Sequence, residues 1–345
     1  MNGLRSARFW ISLLISALFL WLALRGQHLA ETMRTLREAD YGYLLPALVL
    51  YFVGVWVRAG RWKVLLSPMG SYSAGSLFPV VVIGYMANDV LPARMGEVVR
   101  VYVLAEREGL PRSSALGTVV VERLLDAVTM LLLLAVAALL VPLSGTVERI
   151  AIIAAGLMLV AVWPLVFLVL WPDQLARLVA PFAARLPQGL AGRLSGVAAG
   201  FLAGLRVVRS RRVLGLGLAL SVVAWLFEAG MYWALAVGFG LPVGGTVVLL
   251  TLAVTNLATL VPSAPGYIGP FEAGALAVLV GLAGVSQELA TAYVLALHAA
   301  LVIPVTLLGF VYWGSHNLSL QRIRREAQVR RQRQPERSVK AHTLD

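Results

Sequence analysis

The sequence predicts an all-α polytopic membrane protein, with about six full spans and two oppositely oriented re-entrant hairpins. Three observations carry that reading. Hydrophobic residues make up 59% of the chain and charged residues only 13%, with a mean hydropathy of +0.83; average soluble chains carry about 25% charged residues. A soluble domain so composed would expose apolar patches large enough to aggregate. Several apolar runs approach about 20 residues, the length at which a helix rising 1.5 Å per residue crosses about 30 Å of hydrocarbon. Basic residues gather beside those runs. Residues 172–212 hold seven arginines and one acid, and residues 315–345 hold eight basic residues and three acids, together most of the +12 net charge. Charge flanking apolar spans fits the positive-inside bias, and no nucleic-acid recognition motif accompanies it.

The elements follow in chain order. Residues 9–24 are apolar and follow Arg5 and Arg8, but no small-x-small cleavage site succeeds them, so an uncleaved first span is expected. Residues 25–42 mix charges and fit a short interfacial helix. A second span is expected from about Tyr43 to Leu66, with Arg58, Arg61 and Lys63 snorkelling at its far end. The apolar stretch Gly75–Tyr85 stops at the polar segment 88–100. Residues 113–143 and about 150–171 make two more spans, and the arginine-rich 172–212 segment reads as amphipathic surface helices within the membrane domain. Residues 213–239 span again. Short apolar pieces, 244–261 and 271–284, flank VPSAPGYIGPFE, residues 261–272. A last span, about 288–313, completes an expected integral membrane domain of residues 1–314, and residues 315–345 are expected to form a basic cytoplasmic tail without fixed structure.

The two broken segments decide the topology. Gly75 to Asn88 gives only about 21 Å of helix, short of the hydrocarbon thickness. Pro92, Gly96, Pro262, Pro265, Gly266, Gly269 and Pro270 supply the breaks. Backbone that turns back at membrane depth must be buried in protein or line a water-filled cavity. With both segments as hairpins, 24 basic residues face the cytoplasm, four lie outside and Arg123 lies within a span. A full crossing by the first segment alone would send the 172–212 arginines outside, against the charge rule. Both termini are therefore expected to be cytoplasmic, at the plasma membrane. Each broken segment carries an Asn, then P-x-x-x-G, then a carboxylate: Asn88, Pro92, Gly96, Glu97 and Asn256, Pro262, Gly266, Glu272. Such broken segments in two opposed halves point to an inverted repeat and to a transporter's binding site.

Candidate residues follow from cost. Ionisable groups near the bilayer interior are expensive, so Asn88, Asp89, Arg94, Glu97 and Arg100 in the first hairpin are candidates for a functional cavity, against the blander reading of ordinary loop charges. Arg94 and Glu97 are three apart and share a helical face. Glu122 and Asp126 are four apart within a span and would repel unless a cation sits between them. Arg123 beside them is expected to point elsewhere, leaving Arg94 or Arg100 as the partner. Glu228 lies mid-span among aromatic residues, as a neutral carboxyl of either structural or functional use. Asn256, Ser263, Gly266 and Glu272 are candidates in the second hairpin. His298, alone in an apolar span, reads more readily as a packed hydrogen-bonding residue than as a proton relay.

Much is excluded. The chain has no cysteine and four histidines without ligand spacing, so no metal or other cofactor is expected. Phosphate-binding and dinucleotide-binding glycine motifs, a G-x-S-x-G elbow and any sizeable soluble segment are missing, so no enzyme activity is expected.

Four stretches occur in one order: AGRWKVLL (59–66), NDVLPARMGEVVR (88–100), VVVERLLDAVTMLLLL (119–134) and NLATLVPSAPGYIGPFEAGAL (256–276). They resemble the transmembrane region of lysylphosphatidylglycerol synthetases, which also occurs alone as flippase-like integral membrane proteins. The resemblance covers roughly residues 5–315 and places Asn88, Pro92, Arg94, Gly96, Glu97, Arg100, Glu122, Arg123, Asp126, Pro262, Gly266, Gly269 and Glu272 on motif positions. It implies movement of a lipid or lipid-linked intermediate between leaflets. Bifunctional members carry a cytosolic aminoacyl-transferase domain where this chain has its basic tail, so aminoacylation is not expected. The expected partners are a membrane lipid with an anionic head group and the anionic cytoplasmic leaflet. A non-transporting, lipid-binding accessory subunit of a membrane glycosyltransferase or envelope-lipid enzyme is the alternative.

Overall fold

A computed structural model describes residues 29–91, 95–140, 188–261 and 263–315, with isolated positions elsewhere. The described residues form ten α-helices: α1 (Leu29–Glu38), α2 (Leu44–Leu66), α3 (Ala74–Val90), α4 (Gly96–Glu108), α5 (Arg112–Leu140), α6 (Gln188–Leu205), α7 (Arg211–Gly238), α8 (Gly245–Ala258), α9 (Pro270–Leu279) and α10 (Gln287–Ser315). Four stretches among them are long and apolar enough to cross a membrane: Tyr41–Leu66, Arg112–Leu140, Arg211–Gly238 and Gln287–Ser315. They match four of the six expected spans. The expected spans 9–24 and 150–171 and the tail from 316 onward lie largely or wholly outside the described residues.

The apolar runs end where backbone chemistry ends them. Ser73 caps α3 by accepting from the Ser76 N–H at 3.0 Å, and α3 stops at Leu91, before Pro92. Gly109 terminates α4 in the left-handed conformation. Ser210 separates the 3₁₀ turn Arg206–Arg209 from α7 and accepts from the Val213 N–H. The 17 residues of α3 give about 25 Å, the 14 of α8 about 21 Å and the ten of α9 about 15 Å, all short of a crossing. Within each short pair, α3 with α4 and α8 with α9, the two helices pack against each other.

Membrane helices gain little from burying apolar surface against one another, so close backbone approach does more of the work. The α3–α4 crossing depends on it. A Cβ on Gly96 would collide with the Gly84 carbonyl oxygen and lie 2.6 Å from Asn88 Oδ1, while Asn88 Oδ1 accepts from the Gly96 N–H at 2.8 Å. Gly274 plays the same part in α8–α9, where a Cβ would lie 2.8 Å from Ala258 and 3.3 Å from the Val254 carbonyl. Gly96→Ala should therefore lower stability by about 1–3 kcal/mol through overpacking. A melting midpoint in detergent equal to that of the wild type would show that the crossing has slack.

The described spans pack into one bundle. Helices α2 and α7 make the most extensive contact, with Gly54 against the Ala224 carbonyl; α3 lies along α10, and α8 lies against α5. The described part of the 172–212 segment does more than cover a surface. Helix α6 packs on the first turns of α5, and a Cβ on Gly117 would lie 2.6 Å from the Phe201 carbonyl.

Candidate functional site

The interior charge begins on α2. Arg58 and Arg61 are three residues apart and belong to the same buried face as Ala47, Tyr51, Gly54, Trp62 and Leu65. The expectation that they snorkel is wrong. Arg61 is fully buried, and only Lys63, on the other face, is exposed. Rotation about the helix axis, not closeness to its end, decides which side chain reaches water.

Arg61 meets α5. Its guanidinium forms a two-pronged pair with Asp126, donates to Ser221 Oγ at 2.5 Å and approaches Glu122 Oε1 at 3.0 Å. Arg100 reaches the same carboxylate from α4, Nη1 donating to Glu122 Oε1 at 3.0 Å while its plane lies over Trp62 at 4.7 Å. Arg100 Nη2 lies 2.9 Å from Glu122 Oε2, in a contact that is ionic and too poorly aligned for a hydrogen bond. Arg123 also turns inward, against expectation: Nη2 lies 3.0 Å from Glu122 Oε1 and 3.1 Å from Asp126 Oδ2. Three guanidiniums thus neutralise two carboxylates that could not otherwise share a face.

Arg123 keeps 38% of its side chain exposed because it faces a cavity of about 420 Å³, and Glu97 lies 3.9 Å away at the same edge. Across the cavity, Arg58 donates to Glu228 Oε2 at 2.7 Å and lies over Trp225 at 4.5 Å, and Trp225 Nε1 donates to Asp126 Oδ1 at 3.1 Å. Glu228 is therefore one half of an ion pair, not a solitary carboxyl among aromatics. Tyr51, Tyr85, Tyr232 and Phe271 add aromatic wall, and Leu301, Val302 and Val305 of α10 form an apolar side.

Both broken segments end at this cavity. Asn88 and Asp89 of α3 line it, and the Thr306 hydroxyl on α10 donates to Asp89 Oδ2 at 2.8 Å. From the other segment come Asn256, Thr259, Leu260 and Tyr267. The turn that carries Tyr267 is unusual backbone: Gly266 and Gly269 have φ of 73° and 101°, and Tyr267 itself has φ of 62°. A left-handed tyrosine is uncommon and costs on the order of 1 kcal/mol, so its surroundings must hold it. They do so through Glu272, whose Oε2 accepts from the Gly269 N–H at 2.6 Å, and through His298, whose Nε2 lies 2.6 Å from the Gly266 carbonyl oxygen. His298 Nδ1 lies 2.5 Å from Glu272 Oε1.

A model of the lysylphosphatidylglycerol synthase transmembrane region matches residues 9–309. The chain belongs to that family. Among curated proteins it is similar to a UPF0104 membrane protein of Methanothermobacter thermautotrophicus, 25% identical over 278 residues, which span 76% of this chain and 82% of the relative. A UPF0104 membrane protein of Methanocaldococcus jannaschii is 31% identical over 130 residues, 36% of this chain and 38% of that relative. A Haloferax volcanii protein named glycosyltransferase AglD is 32% identical over 127 residues, 36% of this chain and 20% of that relative. No solved structure matches.

Within this member of the synthase transmembrane-region family, the residues singled out from sequence divide into four groups. Asn88, Glu97, Arg123, Asp126 and Asn256 line the cavity. Arg100, Glu122, Gly266 and Glu272 stand behind it as supports, and Ser263, Pro265 and Gly269 belong to the turn. Pro92, Arg94 and Pro262 lie outside the described residues, so the expected Arg94 pairs are not placed; Arg100 is the expected partner that the structure does place. Arg58, Arg61, Tyr51, Tyr85, Trp225, Tyr232 and Tyr267 were missed. Arg58 and Arg61 had a usable signal, since they fall in the helical register of Tyr51 and Gly54. The tyrosines had none, because aromatic residues serve equally as interface anchors.

Proposed function

We propose that this integral membrane protein translocates a lipid, or a lipid-linked intermediate, between leaflets, with the head group passing through the central cavity while the acyl chains stay in the bilayer. The observation that carries this reading is the cavity itself, charged and aromatic, reached by two helix–break–helix units that meet where Gly266 lies against the Asp89 carbonyl. Short broken helices meeting at a central site are how many transporters build a binding site at the midplane. In this reading α3–α4 enters from the cytoplasm, α8–α9 from outside, and the two form an inverted repeat at the plasma membrane.

The head group we favour is a phosphate carrying hydroxyl or amino substituents. Arginine binds phosphate through paired hydrogen bonds, and Arg58 and Arg123 line the cavity. Both already hold carboxylates, so an anion engages them by exchanging with Glu228 or Asp126. Asp89, Glu97 and the tyrosines are left for the donors of the substituent. No cofactor, metal or nucleic acid enters this reading, and we assign no enzyme activity. Proteoliposomes holding head-group-labelled lipids test it: wild-type protein should expose inner-leaflet label to a membrane-impermeant quencher. If no candidate lipid moves, with or without an ion gradient, the accessory-subunit reading replaces it. The similarity to part of a protein named glycosyltransferase AglD favours that second reading.

The topology has its own test, because the chain has no native cysteine. Ser195→Cys should react only from the cytoplasmic face and Ser144→Cys only from outside. Reaction of both from one face would overturn the arrangement.

A further inference from the structure

We propose that Glu272, His298 and the Gly266 carbonyl form a proton-binding site whose proton latches the turn between α8 and α9 against the cavity. The inference rests on the translocation reading for its purpose, though not for its chemistry. A carbonyl oxygen only accepts, so the 2.6 Å contact to Gly266 requires a hydrogen on His298 Nε2. With that position filled, a neutral imidazole offers a lone pair at Nδ1. An ionised Glu272 also offers only lone pairs, and two acceptors do not sit 2.5 Å apart. A proton must lie between them. The pair therefore carries one proton more than a neutral histidine and a carboxylate, whichever atom holds it.

That proton joins three elements. Glu272 Oε2 holds the Gly269 N–H at the start of α9, His298 belongs to α10, and Gly266 is in the turn whose next residue, Tyr267, lines the cavity. Phe271 stacks on the imidazole at 4.2 Å and 24°, fixing the plane in which both nitrogens point at acceptors. Loss of the proton sets lone pair against lone pair at Nδ1 or, after a tautomer shift, at Nε2 against Gly266. Either way one tie breaks and the left-handed Tyr267 loses its support.

The groups facing His298 define the charge it meets. Glu272 faces it from α9 and Tyr267 from the turn, while Asp89, held by Thr306, lies on α3. Tyr232 and Glu228 of α7 and Arg58 of α2 line the same cavity, the last two already paired. With the proton bound, the Glu272–His298 pair is neutral overall. Without it the pair is a net anion among buried groups, near a second carboxylate at Asp89, which favours opening toward water. His298 lines the cavity, so the proton enters by the route open to the head group.

The test is spin-label mobility at Ser263→Cys in the full chain, reconstituted in vesicles and scanned across pH. The label is attached beforehand at one fixed pH, and the readout involves no lipid movement. The latched form binds the proton, so low pH should hold the label immobile and rising pH should free it. The mobile-to-immobile ratio should climb by about tenfold per pH unit below the plateau, as linkage to one proton requires. Glu272→Gln gives the diagnostic contrast. Its amide donates to Nδ1 and its carbonyl accepts from Gly269, so the latch closes without an extra proton and the label should stay immobile at every pH. A pH-independent wild-type spectrum would overturn the proposal, and so would a Glu272→Gln spectrum that titrates like the wild type. A protein that shows the titration but moves no lipid would keep the proton site and overturn only the translocation reading.

Discussion

Glu122→Gln is expected to yield almost no stably folded protein. The substitution keeps the shape and removes one charge, at a side chain that is 1% exposed. Glu122 is the hub on which Arg61, Arg100 and Arg123 converge, with Asp126, among the described residues, as the only other carboxylate touching two of those guanidiniums. Without its charge, three cations face Asp126 and the more distant Glu97. Removing one partner from a buried ionic cluster costs about 3–5 kcal/mol, set against a total stability of about 5–15 kcal/mol for a typical domain. Size-exclusion recovery in detergent after mild heating reads the loss directly. The compensating variant sharpens the test. Glu122→Gln with Arg100→Met restores the charge balance and should recover part of the folded fraction, although the Arg100–Trp62 stacking is lost. Recovery no better than for Glu122→Gln alone would mean that local packing, and not charge, sets the cost. The exposed Arg34–Glu38 pair on α1 is the reference: Arg34→Ala should change nothing measurable.

This outcome also limits what mutagenesis of the charged residues can say about function. The sequence alone invites Glu122 to be read as a substrate ligand, but its carboxylate is held among three guanidiniums behind the cavity wall. Inactivity of Glu122 variants would therefore report the fold. Functional tests belong at side chains that line the cavity and carry little of the bundle's stability.

How much was legible depended on which variable each feature obeys. Span positions obey one-dimensional hydropathy, and the four described spans fall within a few residues of expectation. The helix ends obey proline and glycine chemistry, and the two short helices on either side of each break pack against each other. Glu122 and Asp126 demanded a cation by simple repulsion, and three guanidiniums answer it. The identity of those cations obeys helix rotation and the choice of neighbours, which the spacing of one helix does not contain. Arg61 comes from α2, 65 residues before Asp126, and Arg58 finds Glu228 across 170 residues. Arg123 illustrates the limit on one helix. Adjacent in sequence to Glu122, it was expected to diverge, yet a side chain that long bends back to both carboxylates. His298 is the packed, hydrogen-bonding residue that its apolar span suggests, but its partners Gly266 and Glu272 come from the turn and the helix before it and meet it only in three dimensions.

Filling the cavity should separate transport from folding. Ala127 lies on α5 and lines the cavity, one residue beyond Asp126, without taking part in the ion pairs. Substitution with Leu, Phe and Trp adds apolar volume to a space of about 420 Å³ that the translocation reading requires the head group to occupy. In a packed core such enlargement costs about 1–3 kcal/mol; Ala127 is buried but borders the cavity, which gives the added atoms room, so the melting midpoint should hold. The same energy charged against passage of the head group amounts to about a five- to 150-fold slower rate, since 1.36 kcal/mol is a factor of ten. Translocation in proteoliposomes should therefore fall in the order Leu, Phe, Trp, with the Trp variant lowest, while recovery of folded protein stays level. Three full-sized substitutions that leave the rate at the wild-type value would move the translocation path away from this cavity. A parallel loss of rate and stability would instead mean that the larger side chains disrupt the packing around Ala127, and the graded series distinguishes the two because only blockage follows side-chain volume at constant melting temperature.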